Sequence, residues 1–470
     1  MRKTQLLRKS LLASVIAGTF TALAVAPTVA WSQSANATVR GSAPANAEIT
    51  ARNVATGLVR RARAAADGSY AIPGLPPGTY QIDAGPGTER TVTLNVASTV
   101  TLNLQPAASA APASANATSL GSITVTATTL TEVKTPEVAQ IVSQREIATI
   151  PQVSRNFLEF ADTVPGMVFT VDANGNTSLR GGALNNSSVN VYIDGVGQKS
   201  YVKEGGVSGQ INSQGNPFPQ LAIGEYKVIT SNYKAEYDQI SSAAVTAQTK
   251  SGTNEFHGET FYRYTNDAFR ERTPAEKAAD RKAQSEEKEY GFALGGPIIK
   301  DMMHFFVTYE AKTFNTPITV VPNPDAAPGA AYLPPSVAAQ LGPANLPFHE
   351  DLYFGKIDFE PTDRDRFEAT AQIREEKQRG GLGGPVAPSA AFNTVNNDKR
   401  FAVRWQHSGD FYFNELLLTY ETAVNAPTAI NYGNGYVYTW PRGSDDMSIV
   451  ETGAANPLAT QNKGQNGPAI

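Results

Sequence analysis

The 470-residue chain contains no cysteine, which excludes disulfides, thiolate nucleophiles and cysteine-ligated zinc. Charge is sparse as well: Asp, Glu, Lys and Arg make up 17% of the residues, below the roughly 25% of ordinary globular chains. The formal net charge is −4, so there is no basic excess to meet nucleic acid. The histidines are His257, His304, His349 and His407, and none stands in the His-x-x-Glu or His-Glu-x-x-His spacing of a catalytic zinc site. A Gly-x-Ser-x-Gly elbow and a complete phosphate-cradling loop are missing, and Gly195-x-Gly197 lacks the third glycine of a dinucleotide fingerprint. Neither an enzyme nor a metal or cofactor site is expected.

Long apolar runs are confined to the start. Arg2, Lys3, Arg8 and Lys9 precede "LLASVIAGTFTALAVA", which is shorter than the roughly 20 residues of a spanning helix. A charged flank, a short apolar run and small residues at Thr28 and Ala30 predict a secretory signal peptide over 1–30. An exported chain with no second apolar run is either soluble outside the cytoplasm or a β-barrel, whose alternating strands escape hydropathy. The 39 glycines and 30 prolines favour turn-rich β architecture.

Over 36–105, short alternating runs such as "AEITA", "TYQIDA" and "TVTLNV" are separated by turn signals at Asp67-Gly68, Pro76-Pro77-Gly78 and Gly85-Pro86-Gly87. This predicts a small β-sandwich with Val92, Leu94 and Val96 on one face. The stretch "DGSYAIPGLPPGTYQIDA" resembles the carboxypeptidase regulatory-like domain, which implies a transthyretin-type fold and no chemistry. An Ala/Ser/Pro-rich linker follows over 106–130. It ends in "LGSITVTATTL", where Ile123 and Val125 alternate with Thr124 and Thr126. A lone strand leaves its backbone groups unpaired, so this one requires a sheet downstream or a sheet edge supplied by another protein.

The next region, 131–254, reads as mixed α/β. Ser143 and Glu146 stand at capping-box spacing and predict a helix start. Ser154 is placed to cap a second helix in "RNFLEFAD", and "VNVYIDGV" sets Val189, Val191 and Ile193 against Asn190, Tyr192 and Asp194 before a turn at Asp194-Gly195. The succession "TVPGM", "SLRGG", "VNVYIDGV" and "YKVITSNYKAEYDQISSAAVTAQTKSGTNEFHG" resembles the plug domain of TonB-dependent outer-membrane receptors, in the Oar-like branch. The motif matches fall on Arg180, Gly181, Gly182, Asp194, Gly195, Lys250, Ser251, Gly252, Thr253 and Asn254. Where the family has a glycine run before the last plug strand, this chain reads Ser241, Ser242, Ala243, Ala244. The resemblance implies that these residues build the plug and do not touch substrate. Asp194 is expected as a turn residue and Arg180 as a partner for a barrel-wall carboxylate. Glu225, Glu236 and Asp238 are expected at solvated ends.

From 255 onward the sequence offers about eight candidate transmembrane strands: "FHGETFYRYTN", "EYGFALGGPII", "HFFVTYEAKTF", "LYFGKIDFE", "RFEATAQIRE", "RFAVRWQHS", "FYFNELLLTYE" and "YGNGYVYTW". Their connections alternate long and short, with long links around 267–285, 315–351 and 377–398, as in outer-membrane barrels. Tyr262, Tyr264, Phe305, Phe306, Tyr309, Trp405 and Trp440 are expected in interfacial girdles. The fold class expected is thus mainly β: sandwich, plug, and the first part of a barrel of about 22 strands, with the chain ending at Ile470 before the barrel is complete. The resemblance implies a receptor that imports a ligand when TonB, the inner-membrane energy-coupling protein, pairs with Ile123, Thr124, Val125, Thr126 and Ala127. The expected partners are TonB, outer-membrane lipids and an extracellular ligand selected by "ALNNSS", "QKSYVKEGGVSGQINSQGNPFPQ" and the outer loops. A surface adhesin, a soluble periplasmic binding module and an inactive fragment are the alternatives.

Overall fold

A computed structural model describes residues 35–105 and 131–467, apart from 133–136, 153, 173–174, 200–206, 208–212, 273–275, 278–279, 281, 411, 443–444 and 455–462. The expected signal peptide, the linker and the isolated strand at Ile123–Ala127 lie outside the described residues.

In the first domain β1 (Ala37–Ser42), β2 (Glu48–Asn53), β3 (Val59–Arg63), β4 (Ser69–Leu75), β5 (Gly78–Asp83), β6 (Arg90–Leu94) and β7 (Thr99–Thr101) build two sheets. Their orders are β4-β1-β7 and β3-β2-β5-β6. Period-two alternation turns Ile49, Ala51, Tyr80, Ile82, Val92 and Leu94 into one shared core. The hydroxyl of Tyr80 donates to Pro76 O at 2.8 Å and that of Tyr70 to Leu102 O at 2.7 Å, so neither is buried without a partner. The short strand β8 (Thr131–Glu132), expected in the second domain, instead adds antiparallel to β7. The open edge of β7 supplies backbone groups that need a partner.

The central domain comprises β9 (Val138–Val142), β10 (Met167–Val171), β11 (Thr177–Gly181), β12 (Val189–Ile193), β13 (Val196–Gly197), β14 (Ile223–Ser231) and β15 (Ala243–Thr249). Five strands pair in the order β13-β12-β15-β14-β9, with β12 parallel to β15, and β10–β11 is a separate hairpin. The helix Gln144–Thr149 starts at the capping box, with Ser143 and Glu146 bonding each other's backbone N–H. The second helix is a 3₁₀ segment, Phe157–Thr163. Asn156 caps it by accepting from Leu158 N, while Ser154 Oγ donates to Glu159 at 2.6 Å. The cap therefore sits two residues beyond the expected serine. Strand β15 is buried along its whole length, which explains the small residues before and within it. A Cβ on Gly181 would lie 2.8 Å from Ser242 Oγ and 3.3 Å from Ala243 Cβ.

The third part is an antiparallel sheet of eight strands: β16 (His257–Asn266), β17 (Glu286–Ile299), β18 (Met303–Val320), β19 (Gly342–Phe359), β20 (Asp365–Gly380), β21 (Phe392–Ser408), β22 (Phe413–Ala429) and β25 (Lys463–Gly467). Strands β17 to β22 run 14 to 18 residues, longer than the roughly 9 to 11 that cross a bilayer. Cross-strand pairing continues past the expected ends, since a strand that stops early strands its partner's N–H groups. The long links shorten accordingly, to 321–341 and 381–391. The eighth candidate, "YGNGYVYTW", is not in this sheet. Its residues form β23 (Gly435–Arg442), which pairs with β24 (Asp445–Gly453) in a hairpin that packs onto the 324–338 segment.

Replacing Ile82 by Ala is expected to loosen the sandwich by about 2–5 kcal/mol. The check is hydrogen exchange of the sandwich amides in the whole chain, which should accelerate there and not in β17–β22.

Candidate functional site

The eight-stranded sheet has two unlike faces. Phe292, Leu294, Val403, Leu416 and Leu418 are exposed on one. On the other, Glu289, Glu310, Lys312, Glu350, Lys356 and Glu368 are buried. This reverses the arrangement of a sheet in water and matches a wall whose outer side meets hydrocarbon. At the short-turn end, rings follow one another across three strands and the last turn: Phe359 to Phe367 at 6.2 Å, Phe367 to Trp405 at 6.3 Å, Trp405 to His407 at 6.1 Å and His407 to Tyr412 at 5.7 Å. Two expected girdle residues lie elsewhere. Phe306 is buried on the inner face, and Trp440 stacks on Tyr332 in the outer hairpin. Phe305 and Phe306 are neighbours on one strand and so face opposite ways, Phe305 beside Phe256 and Phe306 inward.

The inner face is covered by the central domain through charged contacts. Asp194, at the turn after β12, has φ of 48°, and its carboxylate accepts from Thr249 N at 2.9 Å and Thr249 Oγ1 at 2.6 Å. Lys356 of the wall reaches Asp194 at 3.5 Å, Thr249 Oγ1 at 3.1 Å and Glu368 at 3.1 Å. Arg404 donates to the Asp194 carbonyl. Asp194 is therefore more than a turn residue, since it joins two central strands to two wall strands. Gly195 follows at φ of 77° and Gly182 at 58°, conformations that glycine adopts without strain. Arg180 corrects the opposite expectation: it is exposed and, among the described residues, forms no ion pair.

A second node was not legible from any motif. Asn216 N donates to both oxygens of Glu350 at 3.0 Å, its side-chain oxygen accepts from Lys312 at 2.8 Å, and its carbonyl accepts from Arg374 Nε at 3.1 Å. Arg374 also pairs with Glu350 at 3.0 Å and with Glu376, which accepts from Ser213 Oγ. Arg155 lies 3.6 Å over the Phe261 ring and 3.7 Å from Glu310, which accepts from Leu221 N. Farther along, Arg400 donates to Gly197 O at 2.6 Å. The only advance signal was the charge on inward strand positions. Its partners are loop backbone, which has no sequence signature.

The motif from Lys250 to Asn254 lies where all three parts meet. A Cβ on Gly252 would come within 2.3 Å of Phe305 O and 2.7 Å of Gly296 O, so only glycine passes this close to the wall. Lys250 pairs with Glu259 at 2.6 Å. Asn254 accepts from Asp301 N at 2.8 Å through its side chain, while its own N–H donates to Ala55 O of the sandwich at 3.0 Å. Glu225 is not at a solvated end, because its carboxylate accepts from Val96 N of the sandwich. Burial pushes the Glu225 carboxyl up to about 7, outweighing the Val96 N–H that favours the charged form. Beside it, Lys227 bonds Glu137 at 2.9 Å and Ala97 O at 3.4 Å. Glu236 pairs with Lys234 at 3.5 Å, and Asp238 accepts from the Tyr192 hydroxyl at 3.0 Å.

Lys356→Met should leave Asp194 and Glu368 buried without their shared cation and destabilise the seating of the central domain by about 3–5 kcal/mol. Faster hydrogen exchange in β15 and around Thr249 is the readout, and unchanged exchange would contradict the assignment. The raised Glu225 pKa gives a pH dependence. The docked state holds a proton that the undocked state releases above about 4.5, so its contribution is full below that pH and is lost as pH rises through about 7. Protection of Val96 N–H should fall over this window, and Glu225→Gln should flatten the profile.

The comparisons with known proteins agree with these parts. Residues 36–107 match the Carboxypeptidase regulatory-like domain family, and residues 248–339 match the Outer membrane beta barrel domain family. The TonB-dependent transporter Oar of Myxococcus xanthus is 25% identical over 275 residues, covering 52% of this chain and 23% of that protein. Among solved structures, the outer membrane transporter YddB from Escherichia coli superposes with a TM-score of 0.50 at 12% identity over 70% of this chain and 44% of its own. The siderophore receptor PirA from Acinetobacter baumannii gives 0.47 at 14% identity over 70% and 43%. The chain thus spans about a quarter of the curated relative and less than half of these solved chains. These relatives are transporters and receptors, not enzymes. The chain is thus similar over part of its length to an outer-membrane TonB-dependent transporter, with a carboxypeptidase regulatory-like domain at 36–107 and a stretch at 248–339 that matches an outer membrane beta barrel domain.

Proposed function

We propose that the protein is an energised import receptor in which the central domain, 131–254, is the plug of a transmembrane barrel. The observation that carries this reading is the two-faced wall: apolar side chains outward, and inward charges held by the central domain through Asp194–Lys356, Asn216–Glu350 and Gly197–Arg400. An eight-stranded barrel has room inside only for its own side chains. A wall that covers a folded domain therefore belongs to a wider barrel, of about 22 strands in plugged transporters.

The polar seam also suits movement. When an apolar interface is pulled apart in water, the whole burial free energy is lost. Separated ion pairs are instead rehydrated, so much of their interaction is replaced by water. A pull transmitted from Ile123–Ala127 would reach the plug at β9, an edge strand of its five-stranded sheet. TonB would grip that segment by strand addition, which relies on backbone hydrogen bonds and needs β propensity more than particular side chains. The other partners are outer-membrane lipids on the apolar face and an extracellular ligand.

Val125→Pro removes a backbone donor and fixes φ inside the segment, whereas Val125→Ala does neither. The Pro variant is expected to lose capture by the TonB C-terminal domain in a pull-down, with the Ala variant close to the parent. Uptake in cells should fail with the same variant, and undiminished capture by the Pro variant would overturn the assignment.

A further inference from the structure

The sandwich, the central domain and the wall together line a partly open cavity of about 580 Å³. The sandwich contributes the turns around Thr56, Pro77 and Asn95. Four acceptors on its lining have no hydrogen-bond partner: Gln248 Oε1, His304 Nδ1, Asp358 Oδ2 and Glu360 Oε2. Their residues are 6%, 1%, 4% and 9% exposed, and a buried polar atom left unpaired is costly. The histidine counts as an acceptor for a geometric reason. Its Nε2 lies 3.0 Å from Asn254 Oδ1, and that oxygen accepts from Asp301 N, so Nε2 carries the hydrogen and Nδ1 the lone pair of the neutral ring.

Donors are scarce by comparison. Arg366 Nε also lacks a hydrogen-bond acceptor, but its guanidinium is already divided among Asp358 at 2.5 Å, Glu368 at 2.8 Å and Glu360 at 3.5 Å. Lys250 is committed to Glu259, and Arg60, whose Nε and Nη2 also find no acceptor, stands outside the lining and turns Nη1 toward Asp363 O. Glu225 adds a further carboxylate to the lining. The complement of such a cavity is cationic and rich in N–H donors. A bare metal ion does not fit, because among the described residues no three acidic or histidine side chains converge to hold one. The volume falls in the range of small-molecule sites, and Leu58, Leu94 and Phe306 give the lining an apolar stretch.

We propose that this cavity binds a small organic cation of the linear alkylamine class, with its ammonium groups donating to Glu360, Asp358 and Gln248 and its methylenes against Leu58, Leu94 and Phe306. Burial pushes the Glu225 and Glu360 carboxyls up to about 7, and a cation bound beside them would favour their charged forms. The lining comes from all three parts, so the site is complete only while the sandwich is docked, and a bound amine stabilises that docked state by mass action.

Isothermal titration of putrescine and spermidine into the purified 470-residue chain in detergent tests this. Saturable binding at one site per chain is expected. Glu360→Gln should weaken it by about tenfold or more, the scale of one charge-assisted hydrogen bond. Asn95→Trp fills the cavity from an exposed sandwich position without touching a carboxylate, and it should abolish binding even if the Glu360 variant does not fold. Absence of saturable heat with either amine would overturn the proposal. So would equal affinity in the Asn95→Trp protein, or equal competition by magnesium chloride, which would mark the signal as charge screening alone.

Discussion

A guanidinium, ammonium or carboxylate taken out of water must find an opposite charge or a set of hydrogen bonds, or it will not remain there charged. The wall presents such groups on the inner face of strand after strand, while its outer face is apolar. Everything packed against that inner face must answer it. Asp194 answers Lys356 with a carboxylate, and Asn216 answers Glu350 with a backbone N–H and Arg374 with a carbonyl. Leu221 N and Gly197 O do the same for Glu310 and Arg400. The central domain is thus specified by polarity as much as by shape, and an apolar domain of the same volume would strand the wall's charges.

The sandwich is held by the same kind of contact. Val96 N meets Glu225, Ala97 O meets Lys227, Ala55 O meets Asn254 N, and Arg61 pairs with Asp363 at 2.8 Å. These contacts are few and mostly single, in contrast to the continuous core inside the sandwich itself. Strand β8 ties it to the start of the central domain, so a load arriving upstream of Thr131 meets the sandwich edge before it meets β9.

Much of this architecture was legible because it rests on local rules. Period-two alternation marked five of the seven sandwich strands and seven of the eight strands of the large sheet, and the capping box at Ser143 and Glu146 marked a helix start. Failures occurred where partners distant in sequence decide. The run containing Trp440 has strand character, but β24 and the 324–338 segment captured it for the outer hairpin. One failure was local: Asn156 displaced Ser154 as the cap because Glu159, five residues on, engaged the serine.

The sequence by itself determined which residues alternate and where the chain turns, because each follows from neighbours a few positions apart. The tertiary structure decided which charges meet. Asp194 and Lys356 are separated by 162 residues and Asn216 and Glu350 by 134, and no local periodicity records such a distance. It also decided that Gly252 must be glycine, through a wall carbonyl 2.3 Å from where its Cβ would stand, and that Glu225 lies beneath the sandwich and out of water. Pairing across a fold depends on which surfaces come together in space, and only the folded chain fixes that.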